Sequence, residues 1–295
     1  METLGGNTLI RTVWQRRTIW SQATAKQKRT VGHARLLTLG LGILAAACGT
    51  AASQTLEALP PLGRAFAFVA ALAGAVTPLV AQRSGPGPMS EWIRLRAMTE
   101  ALKSESYRYL AGVAPYRGAD KDDVLRARFA ELELDAADLL PHTTGLTASD
   151  LPLPDVRDVD SYAALRAGQQ VAEYYEPQAL QMQGNLAKVR RLETAFGLCG
   201  ALLAAVAGVF EIEQAGVWVA VAATIGTAVT AHAAGSRFGY QQLEYARTAQ
   251  QLKALLDGRG DSSSLTDAQE DAFVARCEDI ISVQNDAWMV KWTTA

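Results

Sequence analysis

The sequence predicts an all-α integral membrane protein: four transmembrane helices in two parallel-repeat hairpins, with long helical extensions on the cytosolic side. Three observations predict it. Four runs free of formal charge, at about 36–56, 65–82, 194–210 and 215–236, occur in two closely spaced pairs. Lys and Arg gather outside those runs. The remaining segments repeat their apolar residues at helical spacing. Whole-chain averages hide this pattern: mean hydropathy is only +0.04 and 20% of residues are charged, because polar mass dilutes the spans.

The first 35 residues carry Arg11, Arg16, Arg17, Lys26, Lys28, Arg29 and Arg35 against the single acid Glu2. With Trp14 and Trp20 among them, this lead-in suits a headgroup-level surface, or equally a helix that extends the first span into the cytosol. The long basic region and the length of the first apolar run argue against a cleavable signal peptide. Leu36 to Leu56 is roughly 31 Å long as a helix, one hydrocarbon thickness. Gly42, Ala46 and Thr50 share one face of it, and Gly49 and Ser53 add to the small residues that let helices approach closely. The segment from Glu57 to Arg64, with Pro60 and Pro61, reads as the outer turn. Ala65 to Gln82 returns, and Pro78 predicts a kink near its inner end.

Ser84-Gly85-Pro86-Gly87-Pro88 predicts an interruption, with Ser90 as a cap for a cytosolic helix over 91–113. There Trp92, Leu95, Thr99, Leu102, Ser106, Tyr109 and Val113 alternate spacings of three and four, the seam of a helix that needs a partner. A second helix is expected over 122–140, with Val124, Leu125, Phe129, Leu132 and Leu139 as its apolar set. The stretch 141–160, with Pro141, Gly145, Pro152 and Pro154, reads as a polar linker. A helix is expected from Asp160-Ser161 over 161–193, broken or kinked at Pro177, leading into the third span. After the fourth span come helices over 238–256 and 267–292, the last carrying Phe273, Cys277, Ile280, Ile281, Gln284, Trp288 and Trp292 on one stripe.

The two hairpins superpose at an offset of about 157 residues, with like elements before and after each. The chain therefore divides into units at 1–140 and 161–295 about the linker. Arg83, Lys188, Arg190, Arg191 and Arg237 flank the spans, whereas Arg64 is the only cation in either turn. Both termini and the middle segment are thus expected in the cytoplasm.

Chemistry-bearing motifs are absent from the sequence: no phosphate-cradling glycine loop, no metal-spaced His or Cys cluster, no nucleophile elbow. No enzyme activity, cofactor or metal is expected, and nothing directs the chain to DNA. Cys48, Cys199 and Cys277 read as small buried hydrophobes. Thr224 and Thr227 on the fourth span suit pore lining or close packing alike. His232, near its inner end, is a titratable pore group or a snorkelling interfacial residue. Glu211 and Glu213 in the second outer turn would concentrate cations at a pore mouth if several copies met there. Glu131, Glu133, Asp135 and Asp138 read as a solvated helix face.

Several stretches carry a family resemblance. Glu91-Trp92 with Arg94, Ala97, Glu100 to Lys103 and Tyr107 to Tyr109; Tyr162, Arg166, Gln170 and Tyr174-Tyr175; and Phe273-Val274 with Glu278, Ile280-Ile281, Gln284 and Trp288 resemble helices of the SLATT superfamily. These are the SMODS- and SLOG-associating two-transmembrane effector domains, which include the DUF4231 group. The resemblance covers most of residues 10 to 292 as two tandem units. It departs at Tyr107, where Trp is usual, and at Gln284-Asn285, where an acid is common.

The resemblance implies a prokaryotic defence effector that oligomerises into a pore in the cell membrane. A nucleotide signal, or a sensor or nucleotidyltransferase partner, would control it, and it would depolarise the infected cell. A homo-oligomer is expected, with a tetramer as one arrangement. Arg94, Arg126, Arg128, Arg157 and Arg166 are candidates for a phosphate-rich ligand, each also readable as an ion-pair residue. A non-conducting membrane scaffold that recruits a cytosolic partner is the alternative; a membrane enzyme would need titratable pairs in the spans, where only His232 is available.

Overall fold

The computed structural model describes residues 3–210, 213–260 and 265–293, with side chains over 8–210, 216–260 and 265–282. Among the described residues the elements are all helical: α1 (Thr3–Thr55), α2 (Pro60–Ala81), α3 (Pro86–Ala111), α4 (Lys121–Asp135), α5 (Val159–Tyr162), α6 (Glu176–Phe210), α7 (Glu213–Ser236), α8 (Phe238–Gly258) and α9 (Asp267–Thr293). They gather into two compact units. One comprises the described residues of 1–29, 86–179 and 243–295; the other comprises 30–85 and 180–242. This division by compactness cuts across the two halves of the sequence.

The second unit is the membrane unit. Its four helical runs are long and apolar enough to cross a bilayer, and at most 17% of the most apolar window of any of them is buried within the chain. Leu198, Leu202, Val209, Phe68 and Leu72 point outward. Small residues mark the contacts within each hairpin: a Cβ added at Gly49 would lie 3.9 Å from the Ala70 Cβ, and one at Gly226 3.8 Å from the Phe196 Cβ. The first outer turn is tighter than expected, because Pro60 and Pro61 occupy the opening positions of α2, where a missing N–H costs nothing. Gly63 is required there: any Cβ would fall 2.6 Å from the Leu56 Cα. Pro78 lies in the last turn of α2, which passes into a 3-10 turn over Gln82–Ser84. The interruption shrinks to Gly85, because Pro86 and Pro88 fit the first turn of α3. At the other end of the unit, Arg237 adopts φ 49° between α7 and α8, a left-handed conformation that a side chain rarely takes.

The first unit is the extramembrane unit, and its centre is α3. All seven residues of the predicted seam are buried, from Trp92 to Val113. Ile10, Val13, Trp20 and Ala23 of α1 pack on Leu95, Met98, Leu102 and Tyr109, with Leu125 of α4 and Tyr116 closing the core. Trp14 and Trp20 are therefore buried, and α1 runs unbroken out of this unit toward the first span, which favours extension over a headgroup-level lead-in. Gly112 ends α3 at φ 67°, the left-handed cap for which glycine is preferred.

One expectation needs correction here. The helix over 122–140 stops at Asp135 and continues as a 3-10 segment over Ala137–Thr143, which contains Pro141. Between that segment and α5 the stretch 141–160 has no regular element, but it is tied down along its length. The Trp14 indole donates to the Pro152 carbonyl at 3.0 Å, Gln22 Nε2 to the Thr147 carbonyl at 2.9 Å, and the Ser149 amide to Thr18 Oγ1 at 2.9 Å, while Leu146 and Leu153 pack against the core. This strap leads to α5, capped by Asp158, whose side chain accepts from the Ser161 amide while Ser161 Oγ accepts from the Asp158 amide. The helix thus starts two residues before the predicted Asp160-Ser161.

From α5 the chain continues through two π-helical turns, Ala163–Gly168 and Val171–Tyr175, into α6. The second wide turn lies immediately before Pro177, whose missing N–H leaves no i→i−4 bond to make at that point, so the helical run continues through the proline.

Candidate functional site

The wide turns bring Tyr162 and Arg166 beneath α9, and Arg166 is wholly buried there. Its Nε and Nη2 each lie 2.9 Å from one oxygen of Glu278, a bidentate pair, and Nη1 donates to Gln170 Oε1 at 2.7 Å. Tyr162 donates its hydroxyl to Glu278 Oε1 at 2.8 Å, and Glu100 of α3 approaches Arg166 Nη2 at 3.6 Å. Burial on its own would raise Glu278, but the Arg166 charge, its hydrogen bonds and those of Tyr162 and Ser104 outweigh it and hold the carboxyl below its usual range. Tyr107 sits at the centre of an aromatic chain, 6.0 Å from Trp14 and 6.3 Å from Tyr162 between ring centroids, with the Arg166 guanidinium 5.1 Å above it.

Beside this network lies a cavity of about 450 Å³. Ser21, Thr24 and Lys28 of α1 form one wall, Trp92, Arg96, Thr99, Glu100, Lys103 and Tyr107 of α3 the second, and Arg166, Gln170, Glu173 and Tyr174 the third. Lys103 reaches Gln170 Oε1 only at 3.5 Å, the outer limit of a hydrogen bond. Burial pushes its ammonium down to about 8; Glu100 opposes that shift, and Arg166 and Arg17 add to it. Cys277, below Glu278 on α9, is a buried thiol pushed up to about 12 by burial, an inert core residue.

The predicted ligand arginines do not converge. Arg94 grips Asp138 with both terminal nitrogens, Arg126 pairs with Asp123, Arg128 with Glu131 and Arg157 with Asp155, in four separate surface pairs. Among the five only Arg166 lines the cavity described above, and its charge is taken by Glu278. Lys28, Arg96 and Lys103 were not among the ligand candidates read from the sequence. For Arg96 and Lys103 the signal was present on α3, where 92, 96, 99, 103 and 107 follow helical spacing beside the apolar seam.

In the membrane unit, an added Cβ at Gly42 meets nothing within 4 Å, and Gly49 touches α2. Thr50 is partly covered, and Ser53 is exposed, its hydroxyl donating to the Thr50 carbonyl. Thr224 and Thr227 are exposed, their hydroxyls donating to the Ala220 and Ala223 carbonyls one turn back. His232 is partly covered. Glu211 and the side chain of Glu213 lie outside the described residues, as do the side chains of Gln284, Trp288 and Trp292.

Such a molecule, four apolar helices joined to a polar helical unit with a buried charge network, is an all-α membrane protein. Residues 162–288 match the family model of the SMODS and SLOG-associating 2TM effector domain 1, and residues 18–123 match DUF4231, a family of unknown function. No curated protein and no solved structure matches the chain. With both family models matching, over separate stretches, the chain belongs to the SLATT superfamily.

Proposed function

We propose that this protein is a homo-oligomeric, pore-forming effector of a prokaryotic anti-phage defence system, gated by a nucleotide signal or a sensor partner and acting by depolarising the cell membrane. The extramembrane unit and both termini face the cytoplasm in this reading, and the two sequence halves act as tandem units. One observation carries it: a chain matching a two-transmembrane effector domain exposes Thr224 and Thr227 on a helix apolar enough to span a bilayer, a weakly polar stripe that several copies could turn toward a shared axis. A regulator can act only through different affinity for closed and open states. The test is a planar bilayer recording of the purified oligomer with and without candidate nucleotides. Conductance steps are expected; silence under every condition rejects the pore.

A competing reading, a non-conducting anchor for a cytosolic partner, draws on the same threonines. Their hydroxyls are already satisfied on their own helix and need neither water nor an ion. Replacing all four spans with unrelated apolar helices would preserve the function of an anchor and abolish that of a pore.

A further inference from the structure

We infer that the cavity between α1, α3 and the π-helical run binds a small phosphate-bearing anion, with Lys103, Arg96 and Lys28 as its cationic contacts. Charge carries the inference. Around this cavity and the network behind it stand Arg17, Lys28, Arg96, Lys103 and Arg166 against Glu100, Glu173 and Glu278. Five basic side chains thus share three carboxylates around a partly dehydrated interior. An excess of buried positive charge is costly unless an anion accompanies it.

The polar geometry agrees. Arg166 spends its fork on Glu278 and Gln170, so it supplies field rather than a contact. Arg96 lines the cavity and donates to the Tyr174 hydroxyl at 3.3 Å, and Lys103 lies between Glu100 and Gln170 without a short hydrogen bond to either. Thr99 Oγ1 is 3.1 Å from Thr24 Oγ1, so two hydroxyls complete a polar wall between the cations. The volume, about 450 Å³, suits a ligand of mononucleotide size. The depressed Lys103 adds a consequence. An anion would restore its proton, so affinity should fall by up to about tenfold between pH 7 and pH 9. The groups facing Lys103 are Arg17 and Lys28 on α1, Arg96, Glu100 and Tyr107 on α3, Arg166, Glu173 and Tyr174 on the π-helical run, and Glu278 on α9.

Binding stands independently of the pore; its regulatory meaning rests on the function proposed above. The full chain in nanodiscs would be titrated calorimetrically with inorganic pyrophosphate and with adenosine 5′-monophosphate, against Lys103→Met, Lys103→Arg and Lys28→Ala. Saturable binding is expected, weakened at least tenfold by Lys103→Met and about threefold by the surface change Lys28→Ala. Lys103→Arg should retain binding and flatten its pH dependence; comparing the two proteins at each pH cancels the ligand's own titration. Helical circular dichroism shows whether each variant is folded. Phosphatidylcholine and phosphatidylglycerol discs separate two sources of phosphate: competition by phosphatidylglycerol assigns a lipid headgroup, and equal affinity in both discs assigns a soluble ligand. No saturable binding of either probe at millimolar concentration, or equal binding by folded Lys103→Met, overturns the site. Binding without any effect on bilayer conductance keeps the site and rejects its role as the pore's regulator.

Discussion

The two units of this chain solve opposite solvation problems. In the extramembrane unit, apolar side chains such as Leu95 and Leu102 are inside, and the polar groups trapped with them, Arg166 and Glu278 above all, are bonded to one another. In the membrane unit, side chains of the same kind point outward: Leu198 is 62% exposed and Leu202 67%. In water each would forfeit roughly 1.5–3 kcal/mol relative to burial; in lipid the penalty disappears. The difference teaches where specificity resides. The extramembrane unit is defined by its own interior, whereas the membrane unit keeps few internal contacts and leaves most of its surface to lipid or to other copies.

The comparison can be broken most severely at the buried pair. Glu278→Leu leaves the Arg166 guanidinium buried without its carboxylate and should destabilise the extramembrane unit by about 3–5 kcal/mol, read as loss of hydrogen-exchange protection in α3 and α9. The double variant Arg166→Met, Glu278→Leu should recover most of that loss; failure to recover would mean that Glu100 and Tyr162 depend on the pair for their own placement. The pair also sets an acid limit. Because the folded carboxyl titrates below its unfolded value, its stabilisation is complete above about pH 4.3 and is lost as pH falls through the lower folded value. Glu278→Gln removes this component of the acid transition.

Leucine truncation sharpens the contrast next. Leu102→Ala, in a fully buried site, should cost about 2–5 kcal/mol. Leu202→Ala, facing outward, should cost under about 0.5 kcal/mol in a bilayer unless another copy covers it. A large effect at Leu202, measured at protein concentrations where oligomers persist, would locate a subunit interface. An effect smaller than at Leu102 is expected at Asp158→Ala, about 1 kcal/mol, because the cap orders α5 and thereby the approach of Tyr162 to Glu278.

How much of this was legible in the sequence follows from the same physics. Uncharged runs of bilayer length advertise themselves, so the four spans could be read directly, as could the α3 seam, whose alternating spacing demanded burial. The strap at 141–160 could not. Its attachment uses the carbonyls of Thr147 and Pro152, and backbone acceptors have no residue signature. The π-helical turns were hidden for a related reason: Pro177 announces a missing donor but not how the chain accommodates it. Surface arginines were conspicuous as ligand candidates, yet Arg94, Arg126, Arg128 and Arg157 each have an acid within reach, at Asp138, Asp123, Glu131 and Asp155. Lys103 looked ordinary because its interest lies in what surrounds it, residues from α1, the π-helical run and α9 that sequence spacing on α3 does not reveal.

The smallest expected stability effect is the most informative for function. Thr224→Val and Thr227→Val replace each hydroxyl by a methyl of similar size on an exposed face. The bonds lost, to the Ala220 and Ala223 carbonyls, are local contacts to acceptors already used by the helix, so stability in a bilayer should change by less than about 0.5 kcal/mol. A pore lined by this face would nonetheless become drier, since two weakly polar groups at membrane depth give way to hydrocarbon, and hydrophobic constrictions gate by dewetting. Single-channel conductance should therefore fall severalfold while oligomer size and helicity stay constant. Unchanged conductance with unchanged stability would turn this face toward lipid and move the search for the pore to Gly42 and Ser53 on α1, where a Cβ added at Gly42 meets nothing within 4 Å and Ser53 is exposed.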